Sequence, residues 1–253
     1  MAMRGRSDIM KTAMEDGVLI TRARSDNRII SIDAPIVFGS DFIGAGTLGF
    51  PWLVSAVNSG TVVGYSAAAA PGGYILATTG GADDDDLDIG GPLCFTSTKG
   101  MNFEARLALR DVDQCSFNLG WSDTPAGEAA DLIAINHATA SLTSTATDFC
   151  GFFSSSDSTT NKVRAVSVAG DTDGTIISSG SLPADDEFFT IKCVVDPATR
   201  IPRYYYNGTA LTASTDALTS TANLFCPYIA LRTLNGNAEA MFVDYAWFWQ
   251  ARV

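Results

Sequence analysis

The chain has 253 residues, 46% hydrophobic and 17% charged, with a formal net charge of −12. This length can bury a sizeable core and suits one all-β domain, and the composition is too apolar for a disordered chain. Residues 1–39 carry six Lys/Arg and five Asp/Glu, leaving ten and twenty-three for the rest, so the body offers no basic groove and nucleic acid is not expected as a partner.

The first 37 residues read as an arm. Ser7 can cap a short helix in which Ile9, Met10, Ala13 and Met14 share one face, with Gly17 as its stop. An extended piece with Leu19 and Ile20 follows, then the mixed-charge stretch Arg22–Arg28. A helix of about ten residues is marginal alone in water, so the arm needs a surface to lie on. Its candidate contact residues are Arg4, Arg6, Ile9, Met10, Met14, Leu19, Ile20, Arg22 and Arg24. No membrane partner is expected: apolar runs stay short of the roughly eighteen residues of a membrane span. The start also lacks the apolar stretch of a secretory signal.

From residue 38 onward strands and turns alternate. Extended segments are expected at 60–65 and 73–78, around an Ala/Pro/Gly loop. The run Asp83–Asp88 reads as a solvated acidic loop between strands rather than a calcium site. Residues 103–110 alternate most cleanly, with Phe103, Ala105, Leu107 and Leu109 inward and Glu104, Arg106 and Arg110 outward. Strands are further expected at 115–121, 148–153, 162–168, 187–195, 203–211 and 222–232, with a weak helical hint at 127–132. Asn207–Gly208, between strand formers, is the strongest hairpin signal. Asp171–Gly174 holds half of a calcium-loop pattern and reads more simply as a turn. In the closing segment, period two places Met241, Val243, Tyr245, Trp247 and Trp249 on one face. Phe242, Asp244, Ala246, Phe248 and Gln250 fall on the other, so this strand belongs in mid-sheet or at an interface.

Roughly a dozen short strands with almost no helix predict a two-sheet antiparallel jelly-roll sandwich over 38–253, behind the 1–37 arm. The order of Asp41–Phe42, the 73–78 strand, Phe103–Arg106, the Tyr-Asn-Gly hairpin and the final strand resembles the concanavalin/laminin-G jelly-roll superfamily. The low-lysine, Ala/Thr/Ser/Gly-rich texture is similar to that of jelly-roll virion proteins of tailed bacteriophages. That resemblance implies a capsid decoration (cement) protein on the head exterior, made in the host cytoplasm and binding the major capsid protein as a homotrimer. The alternative is a carbohydrate-binding, lectin-like module of a phage head or tail.

Catalysis finds little footing. Jelly-roll glycosidases use a Glu-x-Asp-x-x-Glu strand, which is absent, and no enzyme activity or cofactor is expected. His137 is the only histidine and is expected at a cap or turn. The five cysteines lack a C-x-x-C pair and read as buried thiols in a reducing cytosol, with no metal site. Trp121, Trp247 and Trp249 are expected in the core, whereas Tyr204, Tyr205 and Tyr206 divide between core and an interface or glycan surface.

Overall fold

The structure, a computed structural model, describes residues 11–13, 19–21, 36–40, 42, 52–56, 61–63, 73–126, 133–139, 141–219 and 223–251. In chain order its strands are β1 (Lys11–Ala13), β2 (Leu19–Thr21), β3 (Ile36–Ser40), β4 (Leu53–Ala56), β5 (Thr61–Val63), β6 (Ile75–Thr78) and β7 (Asp86–Gly90). The central set is β8 (Asn102–Leu109), β9 (Cys115–Ser122), β10 (Ile135–Ala138), β11 (Ser141–Ser144), β12 (Phe149–Ser155) and β13 (Arg164–Ala169). The last are β14 (Thr172–Asp173), β15 (Ile177–Ser178), β16 (Phe189–Val195), β17 (Pro202–Tyr206), β18 (Thr209–Ala210), β19 (Cys226–Thr233) and β20 (Ala240–Gln250).

Two eight-stranded antiparallel sheets form the sandwich. Sheet I runs β14-β13-β12-β9-β19-β7-β4, with β15 also on β13. Sheet II runs β18-β17-β16-β8-β20-β6-β5, with β3 also on β20. The core between them takes Phe117, Leu119, Trp121 and Phe152 from sheet I and Phe103, Leu107, Ile191 and Phe248 from sheet II. Inward and outward residues of β8 fall as its alternation predicts. Asn207 (φ 47°) and Gly208 (φ 75°) make the expected tight turn between β17 and β18, a conformation that Gly adopts without a Cβ clash.

The closing strand departs from simple period two. Val243 faces Leu107, Tyr245 faces Arg106 and Ala246 faces Ala105, so Asp244 is the extra residue of a β-bulge. Inward positions therefore switch from Met241 and Val243 to Ala246 and Phe248, while Tyr245 and Trp247 turn outward. The neighbour changes at the same place: β6 pairs with 240–243 and β3 with 246–250. Gly39 of β3 permits this crossing, since a Cβ there would lie 2.4 Å from the Ala246 carbonyl oxygen and 2.7 Å from the Trp247 ring. Because the bulge residue is supernumerary, deleting Asp244 keeps every inward residue inward. Such a deletion variant is expected to melt cooperatively, within a few degrees of the parent, in a calorimetric scan.

Three sequence expectations are corrected. Residues 11–13 are not helical; β1 pairs antiparallel with β2, Lys11 opposite Thr21, because pairing satisfies backbone groups that so short a helix leaves open. Ile9, Met10 and Met14 lie outside the described residues, as do Arg4, Arg6, Arg22, Arg24 and the helical hint at 127–132. The acidic run is a solvated turn only at Asp83 and Asp84, which are exposed; Asp86 and Asp88 lie in β7 and are buried, as is Asp85 before it. Trp247 is only partly buried and Trp249 is buried outside the main cluster, which Trp121 enters together with Trp52.

Candidate functional site

The outer face of sheet I is closed at its centre. Every residue of β9, β12 and β19 is buried, and the β10–β11 hairpin packs Ile135 against a second apolar cluster with Phe149, Phe153, Val166 and Tyr228. Asn118 clips the hairpin on by imitating a strand backbone: its Oδ1 accepts from the Ile135 N–H at 2.6 Å, and its Nδ2 donates to the Ile135 carbonyl at 3.0 Å. His137 lies within β10 rather than at a cap or turn, and accepts at Nδ1 from Arg164 at 3.2 Å. Burial and then the Arg164 charge lower its pKa, so the ring is held neutral. In the buried acidic run, Arg232 grips Asp86 with a two-pronged contact of 2.5 and 2.6 Å, leaving that carboxylate to an internal cation rather than a metal. Among the described residues no three His, Cys, Asp or Glu side chains gather as metal ligands would.

The outer face of sheet II is open, and register assembles a site there. Trp247 of β20 lies opposite Glu104 of β8, Glu104 opposite Lys192 of β16, and Lys192 opposite Tyr205 of β17. One residue row further on, Tyr245, Arg106 and Thr190 lie side by side. The Tyr245 phenol donates to Glu104 Oε1 at 2.9 Å, and Lys192 Nζ stands 3.8 Å from Glu104 Oε2 and 6.0 Å from the Tyr205 ring centroid. Arg106 is held by Asp244 at 2.5 Å and by the Phe188 ring at 4.4 Å, so the bulge residue anchors the edge of the site. Burial first, and then the neighbouring Glu104 charge, push the Tyr245 phenol well above its usual range, so it stays a donor. A hollow of about 450 Å³ opens here, lined by Glu104, Thr190, Lys192, Val194, Tyr205 and Gly208. A smaller one, about 250 Å³, lies between 175–178 and 212–215 and has no charged residue in its lining.

The row carries aromatic residues at both ends, Trp247 and Tyr205, with a carboxylate and an ammonium between them, and Thr190 beside it in the hollow's lining. Fold comparison gives a matching frame. Peanut lectin, solved with a nine-residue peptide, superposes with a TM-score of 0.58 at 10% identity, covering 87% of this chain and 99% of the lectin. The carbohydrate recognition domain of Emp47p gives 0.56 at 9% identity, covering 83% and 93%. A β-1,3-glucanase from Mycobacterium marinum gives 0.54 at 12% identity, covering 84% and 97%. The fold is a lectin-like jelly-roll sandwich. No family model and no curated protein matches the sequence. Because this sandwich carries both binding domains and a glucanase, what the chain does rests on its own side chains.

Of the tyrosine run, Tyr204 and Tyr206 point into the core and Tyr205 alone joins the site. The arm's Leu19 and Ile20 belong to β2, which among the described residues pairs with β1 alone. Sequence reasoning missed Glu104, Thr190, Lys192, Tyr245 and Trp247 as site residues. Glu104 was within reach, since the 103–109 alternation marks it as outward, though which strands are its neighbours is set by the fold. Tyr245 and Trp247 depend on the bulge.

A further buried carboxylate makes a pH signature. Burial, then Asp111 and Asp185 against an opposing Arg110, raise the Glu239 pKa from 4.5 to about 7. The folded state thus holds this proton more tightly than the unfolded chain, so its contribution is present below about pH 4.5 and is lost as pH rises through about 7. Glu239→Gln is expected to match the parent in urea unfolding near pH 4.5 and to be more stable than it at pH 8.

Proposed function

We propose that the protein is a carbohydrate-binding module whose site is the outer face of sheet II. The observation that carries this is the register row Trp247, Glu104, Lys192, Tyr205, which sets rings on both sides of a carboxylate–ammonium pair. Sugar C–H faces stack on aromatic rings while their hydroxyls take hydrogen bonds from placed charged groups. Trp247 and Tyr205 stand three strand spacings apart, about 14 Å. The ligand that fits is a linear oligosaccharide crossing the strands. The lectin and the carbohydrate recognition domain among the fold neighbours support the same reading. The capsid-decoration reading, with a major capsid protein partner, a homotrimer and a place on the virion exterior, rests on the sequence texture and the arm, and nothing in the fold or the comparisons speaks for it.

Screening the full chain on a broad oligosaccharide array tests the proposal. At least one linear oligosaccharide is expected to bind, and Tyr205→Ala is expected to weaken it about tenfold, equivalent to ~1.4 kcal/mol, while leaving the melting temperature nearly unchanged. An empty array, or a ligand held equally well by the variant, would overturn the assignment.

A further inference from the structure

Cys150 and Cys193 stand on different sheets and point at one another across the core. Cys150 lies in β12 of sheet I and Cys193 in β16 of sheet II, both without solvent exposure, and their sulfurs are 3.6 Å apart. No other cysteine pair is in such contact among the described residues; Cys94 is exposed, and Cys115 and Cys226 point to carbonyl oxygens of Asp111 and Ser122. The Tyr204 hydroxyl, which donates to the Val166 carbonyl at 2.8 Å, stands 3.5 Å from the Cys150 sulfur and walls the pair on one side. A disulfide needs the sulfurs at about 2.05 Å, so an approach of about 1.5 Å would join them.

We propose that Cys150 and Cys193 are a cross-linking site: in an oxidising thiol–disulfide buffer they form a disulfide that ties the two sheets together through the core. The oxidant is a small disulfide of the glutathione type. A thiolate of one cysteine attacks it, releasing one reduced thiol, and the second cysteine sulfur then attacks the mixed disulfide and releases another. Two S–H bonds are lost and one S–S bond forms, while the reagent S–S bond breaks and takes up the two electrons and two protons, leaving as two thiols. The exchange takes place as the chain folds or opens, because burial holds the native Cys193 thiol in its protonated, unreactive form. The bond would close a loop between positions 43 residues apart, which limits the unfolded ensemble substantially.

The test refolds the full chain in a mixture of reduced and oxidised glutathione, then blocks residual thiols and maps peptides without reduction. The expected product has a Cys150–Cys193 linked peptide, with Cys94, Cys115 and Cys226 alkylated. Its melting temperature is expected to rise on the order of 5–10 °C over the reduced chain. The rise should be absent in a Cys150→Ala/Cys193→Ala variant given the same treatment. Recovery of both cysteines in alkylated form, or linkage of either to a different cysteine, would overturn the proposal whether or not that variant folds.

Discussion

Replacing Phe248 with Ala lowers stability by about 3–5 kcal/mol, and the same change at Trp247 costs much less. Phe248 is completely buried and touches Trp121 at 5.0 Å, Phe103 at 5.6 Å and Trp52 at 6.5 Å between ring centroids. It therefore joins the rings of both sheets at the centre of the core. Truncation removes the transfer energy of the ring and leaves a cavity that strands fixed on both sides cannot close. Trp247 is partly exposed on the outer face, so its loss forfeits less burial. For a domain of this size the Phe248→Ala loss corresponds to a fall of about 10 °C in melting temperature. The contrast is the sharp part, because uninterrupted period two from Met241 would bury Trp247 and expose Phe248. A scan in which Trp247→Ala proved the more damaging would show that the bulge at Asp244 is misplaced.

Arg232→Met is expected to cost about 3–5 kcal/mol in urea unfolding. Arg232 and Asp86 face each other on β19 and β7, with side chains 5% and 4% exposed, and meet through Nε and Nη2. Removing the guanidinium strips a buried carboxylate of its two-pronged donor, and desolvation makes that more costly than losing an exposed ion pair. Asp84, 3.7 Å from Nη1 but 70% exposed, contributes little by comparison. Combining Arg232→Met with Asp86→Leu is expected to recover much of the loss, since an apolar pair no longer buries an isolated charge. A single Arg232→Met variant within about 1 kcal/mol of the parent would contradict the buried-pair account.

These two sites mark where sequence reading succeeds and where it stops. The sandwich itself was legible because alternation in 103–109 and the Asn207–Gly208 turn are local signals, each spanning only a few residues. The bulge was not, because Asp244 looks equally natural as one outward carboxylate in a regular strand; only the pairing with β8 shows that it is supernumerary. The buried half of the acidic run, from Asp85 to Asp88, was missed for a different reason. Its fate depends on Arg232, 146 positions away from Asp86, and a block of like charge reads as solvated until that partner is known. The same limit applies to the candidate site. Glu104, Lys192 and Tyr205 come from three strands, and Tyr245 and Trp247 from a fourth, brought together by sheet order rather than by sequence spacing.

The most direct test of carbohydrate binding at the sheet II face is calorimetric titration of the full chain with linear oligosaccharides from two to six units, drawn from the best array hit. Rings about 14 Å apart predict weak binding of the disaccharide and a marked gain by four units, when both Trp247 and Tyr205 can be covered. Affinity that does not change with length would confine the ligand to one ring and remove the two-sided site, and no heat at any length would contradict carbohydrate binding there altogether.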